Sequence, residues 1–132
     1  MASNARMFRS LLTASLKTIF DFEKSRAFYR QALKPLGLQE TAAFEEWKAA
    51  AFGPEGKYAF WVAQREPYGT GTHVAFACGD RETVDAFHAA ALAAGGTDNG
   101  APGLREHYHP GYYGAFVLDP DGNNVEAVCH QG

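Results

Sequence analysis

The sequence predicts an α+β fold. A unit of strand, helix and strands is followed by a second unit of the same order, with helices outside two curved sheets that leave a cavity between them. Three observations predict it. Two segments with helical apolar spacing each begin at an aspartate and end at glycine, one near the start of each half. Short runs rich in aromatic and β-branched residues follow in both halves. The run Asp119-Pro-Asp-Gly-Asn123 joins the last two of these as a tight turn, because Pro120 fixes one φ and Gly122 accepts a positive one. A chain of 132 residues fits one compact domain. That domain spans residues 1–132, with units at about 12–63 and 72–130.

Residues 12–20 form the expected first strand, although Ser15 and Lys17 interrupt its apolar face. Asp21 is placed to cap a helix over 22–33, where its side chain can accept from an orphan backbone N–H. Phe22, Phe28, Tyr29 and Leu33 give that helix a packed face, and Pro35 and Gly37 end it. Residues 38–49 mix Ala, Glu and Trp and fit either a short helix or a twisted strand. Gly53 to Gly56 reads as a turn. Tyr58 to Ala63 reads as a strand with Trp61 on the face of Ala59 and Ala63. Pro67, Gly69 and Gly71 mark residues 64–71 as a connector. In the second half Thr72 to Cys78 is a strand, and Asp80 caps a helix over 81–94. Val84, Phe87, Ala91 and Leu92 form that helix's apolar side, and Gly95 and Gly96 close it. A short strand near 97–99, a loop over 100–112, and strands near 113–118 and 124–130 complete the order.

Apolar residues make up 46% of the chain, enough for a core. Twelve basic residues against 15 acidic ones give a net charge of -3, so bulk charge gives no reason to expect nucleic acid or an anionic membrane as partner. No run approaches the roughly 20 apolar residues that span a bilayer. The first 12 residues lack the apolar core and cleavage site of a signal peptide and read as a frayed tail. Cys78 and Cys129 form no spaced metal motif and read as buried, reduced thiols of a cytoplasmic protein.

Glu126 stands between Val125 and Ala127 inside a strand, and a buried carboxylate needs a partner. The imidazoles are candidates, above all His73 in another strand. His73 reads as a metal ligand, a base, a hydrogen-bond donor, or a structural partner of Glu126; its ordinary pKa of about 6.5 allows proton exchange near neutrality. A Glu126 with a raised pKa can take a proton α to a carbonyl, whereas pairing with His73 keeps it ionised. Trp61 offers a flat wall to an apolar ligand, or serves as core. Tyr108, Tyr112 and Tyr113 flank the Pro110-Gly111 bend, so their phenols can line a pocket. His107 joins Tyr112 and Tyr113 among the expected ligand contacts, and His109 is not expected to serve the same site. Asp119 and Asp121 read as turn residues, and Glu23, Lys24 and Arg26 as a solvated helix face.

Three segments, Asp21-Phe-Glu-Lys-Ser-Arg-Ala-Phe-Tyr29, Thr72-His-Val-Ala-Phe76 and Asp119-Pro-Asp-Gly-Asn-Asn-Val-Glu126, together resemble the vicinal oxygen chelate superfamily of glyoxalase I, bleomycin-resistance proteins and extradiol dioxygenases. The resemblance covers nearly the whole chain. It implies paired βαβββ modules whose sheets form an open, U-shaped cavity, and it implies a homodimer. In metal-dependent relatives each module supplies two ligands. His73 and Glu126 match the second-module positions. The first-module positions hold Ala14 and Trp61, which cannot ligate a metal, and no histidine precedes His73. Because a catalytic divalent ion takes three or four protein ligands, no metal or other cofactor is expected. The alternative is a divalent ion on His73 and Glu126, helped by His107, His109 or His130.

The expected function is that of a glyoxalase-like lyase or isomerase acting on a small organic molecule. His73 or Glu126 would move a proton and a tyrosine would polarise an oxygen, with Trp61, His107, Tyr112 and Tyr113 contacting the ligand. Dioxygenase action is disfavoured because iron needs its facial set of ligands. The alternatives are a non-catalytic binding or sequestration protein, and a structural protein whose cavity its own side chains fill.

Overall fold

The computed structural model describes residues 15–65 and 73–130. The start of the expected first strand, Ala14 and most of the connector lie outside those residues. In the first module β1 (Ser15–Ile19) leads to α1 (Phe22–Ala32), then β2 (Gln39–Phe44), β3 (Ala49–Gly53) and β4 (Phe60–Gln64). The second repeats the order with β5 (His73–Cys78), α2 (Arg81–Ala93), β6 (Thr97–Leu104), β7 (Tyr113–Leu118) and β8 (Asn124–Cys129). Each module forms its own open four-stranded sheet, in the orders β1-β4-β3-β2 and β5-β8-β7-β6. The first strand of each runs parallel to the last, and the other pairs are antiparallel. These are two βαβββ modules with flanking helices.

Local chemistry explains the boundaries. Asp21 accepts from the Lys24 N–H at 3.1 Å and Asp80 from Thr83 at 2.7 Å, satisfying one orphan donor in each helix. The ambiguous stretch 38–49 resolves into β2 and a 3-10 turn at Glu45–Trp47, ended by Lys48 in the left-handed region at φ 49°. The alanine-rich β3 was not foreseen: alanine is a poor strand former, and cross-strand pairing on both sides overrides that preference. The strand expected near 97–99 extends to Leu104, because register shifts at Gly100 and Gly103 keep the ladder going through bulges. Leu92, expected on the packed side of α2, is 37% exposed and lies beyond the buried stripe.

One cluster of buried residues joins the helix-facing sides of both modules. Ile19, Phe22, Phe28, Tyr29, Phe60 and Val62 meet Val84, Phe87, Val117 and Val125 there. Phe60 on β4 and Phe76 on β5 cross edge-to-face at 5.4 Å. A polar pin adds to this. Asp119, in the turn between β7 and β8, accepts from the Tyr29 hydroxyl at 2.6 Å and from the Asp121 and Asn123 N–H groups at 2.9 Å each. Lys17, buried to 6% exposure, reaches Asp119 at 3.3 Å and Asp121 at 3.1 Å. Burial, and then the Asp119 charge, push the Tyr29 phenol well above its ordinary pKa, so it stays a donor.

At the far edge of the first module Arg26 grips Glu40 with two N–H groups, at 2.7 and 2.8 Å, and Arg30 adds a contact at 3.0 Å. The bonds from Arg26 first, then those from Arg30, lower the Glu40 carboxyl from 4.5 to about 2 against the opposing effect of burial. A pKa depressed by folding means stability that is fully present above the unfolded value and lost as pH falls from about 4.5 toward 2. Glu40→Gln is therefore expected to destabilise the protein at neutral pH, with the gap to wild type closing across that interval. Urea unfolding at pH 7, 4 and 2.5 measures it; a gap independent of pH would contradict the assignment.

Candidate functional site

Alternation along the second sheet places His73, Ala75 and Ala77 of β5 and Asn124, Glu126 and Val128 of β8 on the face away from the helices. Glu126 lies opposite Ala75 on one side and Phe116 on the other. The small Ala75 leaves room for its carboxylate, and Glu126 is only 1% exposed. His73 Nε2 stands 2.9 Å from Glu126 Oε1, and the Tyr112 hydroxyl donates to Oε2. Gly114 makes that approach feasible. A Cβ there would fall 3.2 Å from both Glu126 Oε2 and the Tyr112 ring.

The two members of the pair differ in access: the His73 side chain is 51% exposed and that of Glu126 only 2%. The carboxylate therefore sits beneath the imidazole. With Glu126 ionised, their bond requires the proton on Nε2, so a neutral His73 keeps its Nδ1 lone pair. Among the described residues nothing bonds that nitrogen. Tyr112 is held above its ordinary pKa by burial and then by the bond to Glu126, so its hydroxyl remains a donor to the carboxylate.

A second layer fixes Tyr112. Its ring meets Tyr108, His109 and His130 edge-on at 4.9, 5.1 and 5.5 Å. His109 Nδ1 lies 2.8 Å from the Pro110 carbonyl, which can only accept, so that nitrogen carries a proton. A neutral His109 then accepts at Nε2 from His130 Nδ1, 2.9 Å away. The sequence reading set His109 aside; its pairing with His130 depends on the fold of the 105–112 loop, which no local pattern reveals.

The other expected contacts are spread out. His107 lies tilted against Tyr108 at 4.3 Å, one ring further from Glu126. Tyr113 faces the helix side, since adjacent strand residues alternate; it donates to Asp85 at 2.7 Å beneath the Arg81 guanidinium. Trp61 lies on the helix-free face of the first sheet, opposite Ala51, stacked on Phe44 at 6.2 Å and tilted against Tyr58 at 5.6 Å. Among the described residues its buried indole N–H has no hydrogen-bond partner.

The family model of the Glyoxalase/Bleomycin resistance protein/Dioxygenase superfamily matches residues 16–127. The chain belongs to that superfamily. It is similar to a glyoxalase/bleomycin resistance protein from Albidiferax ferrireducens T118, at 29% identity and TM-score 0.74 over 89% of this chain and 96% of that one. A glyoxalase/bleomycin resistance protein/dioxygenase family enzyme from Burkholderia phytofirmans PsJN is 25% identical at TM-score 0.65, over 89% and 97% of the two chains. A lactoylglutathione lyase from Agrobacterium tumefaciens shares the fold at 19% identity and TM-score 0.63, over 88% and 91%. No curated protein matches the chain.

The divalent metal associated with this superfamily does not fit the donor set present. Both Glu126 oxygens already accept bonds, from His73 and Tyr112. Trp61, which the resemblance sets at a first-module ligand position, carries an indole that has no lone pair to give. Among the described residues no three His, Cys, Asp or Glu side chains converge as a metal site. What the site offers is proton chemistry on a carboxylate-backed imidazole.

Proposed function

We propose that this superfamily member binds a small organic carbonyl compound on the helix-free face of its second sheet and moves a proton on it, as a glyoxalase-like isomerase or lyase. The observation that carries this reading is the His73–Glu126 pair, a half-exposed imidazole on a buried carboxylate. In the proposed step His73 Nδ1 takes the proton from the carbon α to the carbonyl, and the bonding pair moves into an enolate. Glu126 stabilises the resulting imidazolium and holds the ring in place. With an α-hydroxy carbonyl substrate a proton passes between the two enediolate oxygens and the imidazolium returns its proton to the former carbonyl carbon, giving isomerisation; with a β-leaving group the enolate expels it, giving elimination.

Proton NMR in D₂O against a panel of 2-oxoaldehydes and α-hydroxy ketones tests it. Wild type is expected to exchange the α-hydrogen of at least one compound faster than buffer, and His73→Ala is not. Binding of panel compounds without exchange would favour the second reading, a non-catalytic binding protein. The wall of Trp61, Phe44 and Trp47, which carries no titrating group, supports that alternative. The proposal also includes a cytoplasmic homodimer. Leu16 and Trp47 are 57% and 63% exposed, and each offers apolar surface that a second copy would cover. Neither Cys78 nor Cys129 forms a disulfide, in keeping with a reducing compartment. Among the described residues no helix is long and apolar enough to cross a membrane. A monomer mass by light scattering over a wide concentration range would remove the dimer.

A further inference from the structure

Arg105 follows directly on β6, and its guanidinium lies over the Phe116 ring at 5.4 Å. Phe116 is the cross-strand partner of Glu126, and the His73 ring is 6.3 Å from it. The cation and the imidazole are thus each one ring contact from Phe116, on the face where Glu126 lies. Arg105 Nη2 donates to the Ala101 carbonyl at 2.8 Å, and its backbone N–H ties it to Tyr112 at 2.7 Å.

Two features separate this arginine from an ordinary surface cation. Like Arg81 and unlike Arg26 and Arg30, it has no carboxylate within ion-pair distance among the described residues, and unlike Arg81 it stacks on the face that carries Glu126. A guanidinium has five N–H donors, so most of its fork is uncommitted. The backbone also makes a cradle for it. A Cβ at Gly103 would come 3.0 Å from Nη1, and one at Gly100 would come 3.2 Å from Nη2 and 2.9 Å from Phe116. Both glycines sit at the register shifts of β6 against β7. Bulges commonly re-aim a side chain next to a site, and stacking on Phe116 holds the planar fork ready.

We propose that Arg105 is the anion anchor of this face, binding the carboxylate or phosphate of a small organic substrate whose apolar body lies along Phe116 and whose reacting carbon reaches His73. This rests on the reading that a ligand occupies the face of His73 and Glu126, and it adds the ligand's charge. Carboxylate and phosphate share the geometry that a guanidinium fork matches with two parallel bonds.

The test measures binding of benzoate, phenyl phosphate and the neutral isostere benzamide to the full chain, by NMR titration read at the His73 and Phe116 rings. At least one anion is expected to bind about tenfold or more tighter than benzamide, as charge-assisted bonds allow. Whichever anion gains most identifies the headgroup. Arg105→Met keeps the alkyl stem over Phe116; it is expected to lose that preference, so that anion and benzamide affinities converge, and Arg105→Lys is expected to recover part of it. Equal binding of anions and benzamide overturns the anchor but leaves the ligand face standing, as does an Arg105→Met protein that keeps its anion affinity whatever its melting temperature. Absence of binding by all three probes overturns the anchor, and the α-hydrogen exchange assay then decides the ligand face separately.

Discussion

Glu126→Gln is expected to lower α-hydrogen exchange by on the order of 10²–10⁴-fold while the protein stays folded. The amide is nearly isosteric and can still meet the Tyr112 hydroxyl and His73 Nε2. It has no charge, so it no longer stabilises the imidazolium that forms as His73 takes a proton. Where the amide NH₂ faces Nε2, the His73 proton must move to Nδ1 and fill the lone pair that the reaction uses. Nitrogen-15 chemical shifts of the imidazole report that change without any substrate. Tyr112→Phe keeps the charge and removes one hydrogen bond, so its effect is smaller, about tenfold or less. A Glu126→Gln protein with unchanged His73 shifts and nearly unchanged exchange would remove the carboxylate from the mechanism.

The approach of His73 to Glu126 is legible in the sequence for a simple reason. Each lies in an unambiguous strand, and a charged residue between Val125 and Ala127 demands a polar neighbour. The helix boundaries are legible for a similar reason, since Asp21 and Asp80 are local signals whose effect does not depend on the rest of the fold. Residues governed by distant partners are different. Lys17 looks like a flaw in the apolar face of β1, yet it is the buried partner of two aspartates more than 100 positions away. The strand Ala49–Gly53 exists through pairing on both edges rather than through propensity.

The candidate site divides along the same line. Period-two alternation places Glu126 and Val128 on one face and sends Tyr113 to the face opposite Tyr112. The Tyr108–Tyr112–His109–His130 layer and the seat of Arg105 depend on the 105–112 loop and on bulges at Gly100 and Gly103. A reading that ends β6 at residue 99 leaves Arg105 in a long loop with no assigned direction. Glycines at 100 and 103 are the one sequence signal available, and they mark a bulge only once the strand is known to continue.

Asp119→Ala is expected to cost about 3–5 kcal/mol of folding stability, the range for breaking a buried charged network by removing one partner. The sequence presents Asp119 as a turn residue, and it does bond the Asp121 and Asn123 N–H groups across that turn. Its other oxygen accepts from Tyr29 of α1 and lies beside Lys17 of β1, so the same carboxylate joins the two modules. Truncation leaves a buried ammonium with, among the described residues, only Asp121 as its charged partner, and a buried phenol without its acceptor. The 1–3 kcal/mol typical of an unsatisfied buried group applies to the phenol alone. Asp119→Asn keeps an oxygen for the turn and loses the charge, so a smaller cost is expected. Urea unfolding of both variants, with Lys17→Met and the Lys17→Met/Asp119→Ala double variant, closes a cycle that isolates the Lys17–Asp119 term. A cost below about 1 kcal/mol for Asp119→Ala, at the level of an ordinary surface change, would mean that the helix-side apolar core joins the modules without this pin.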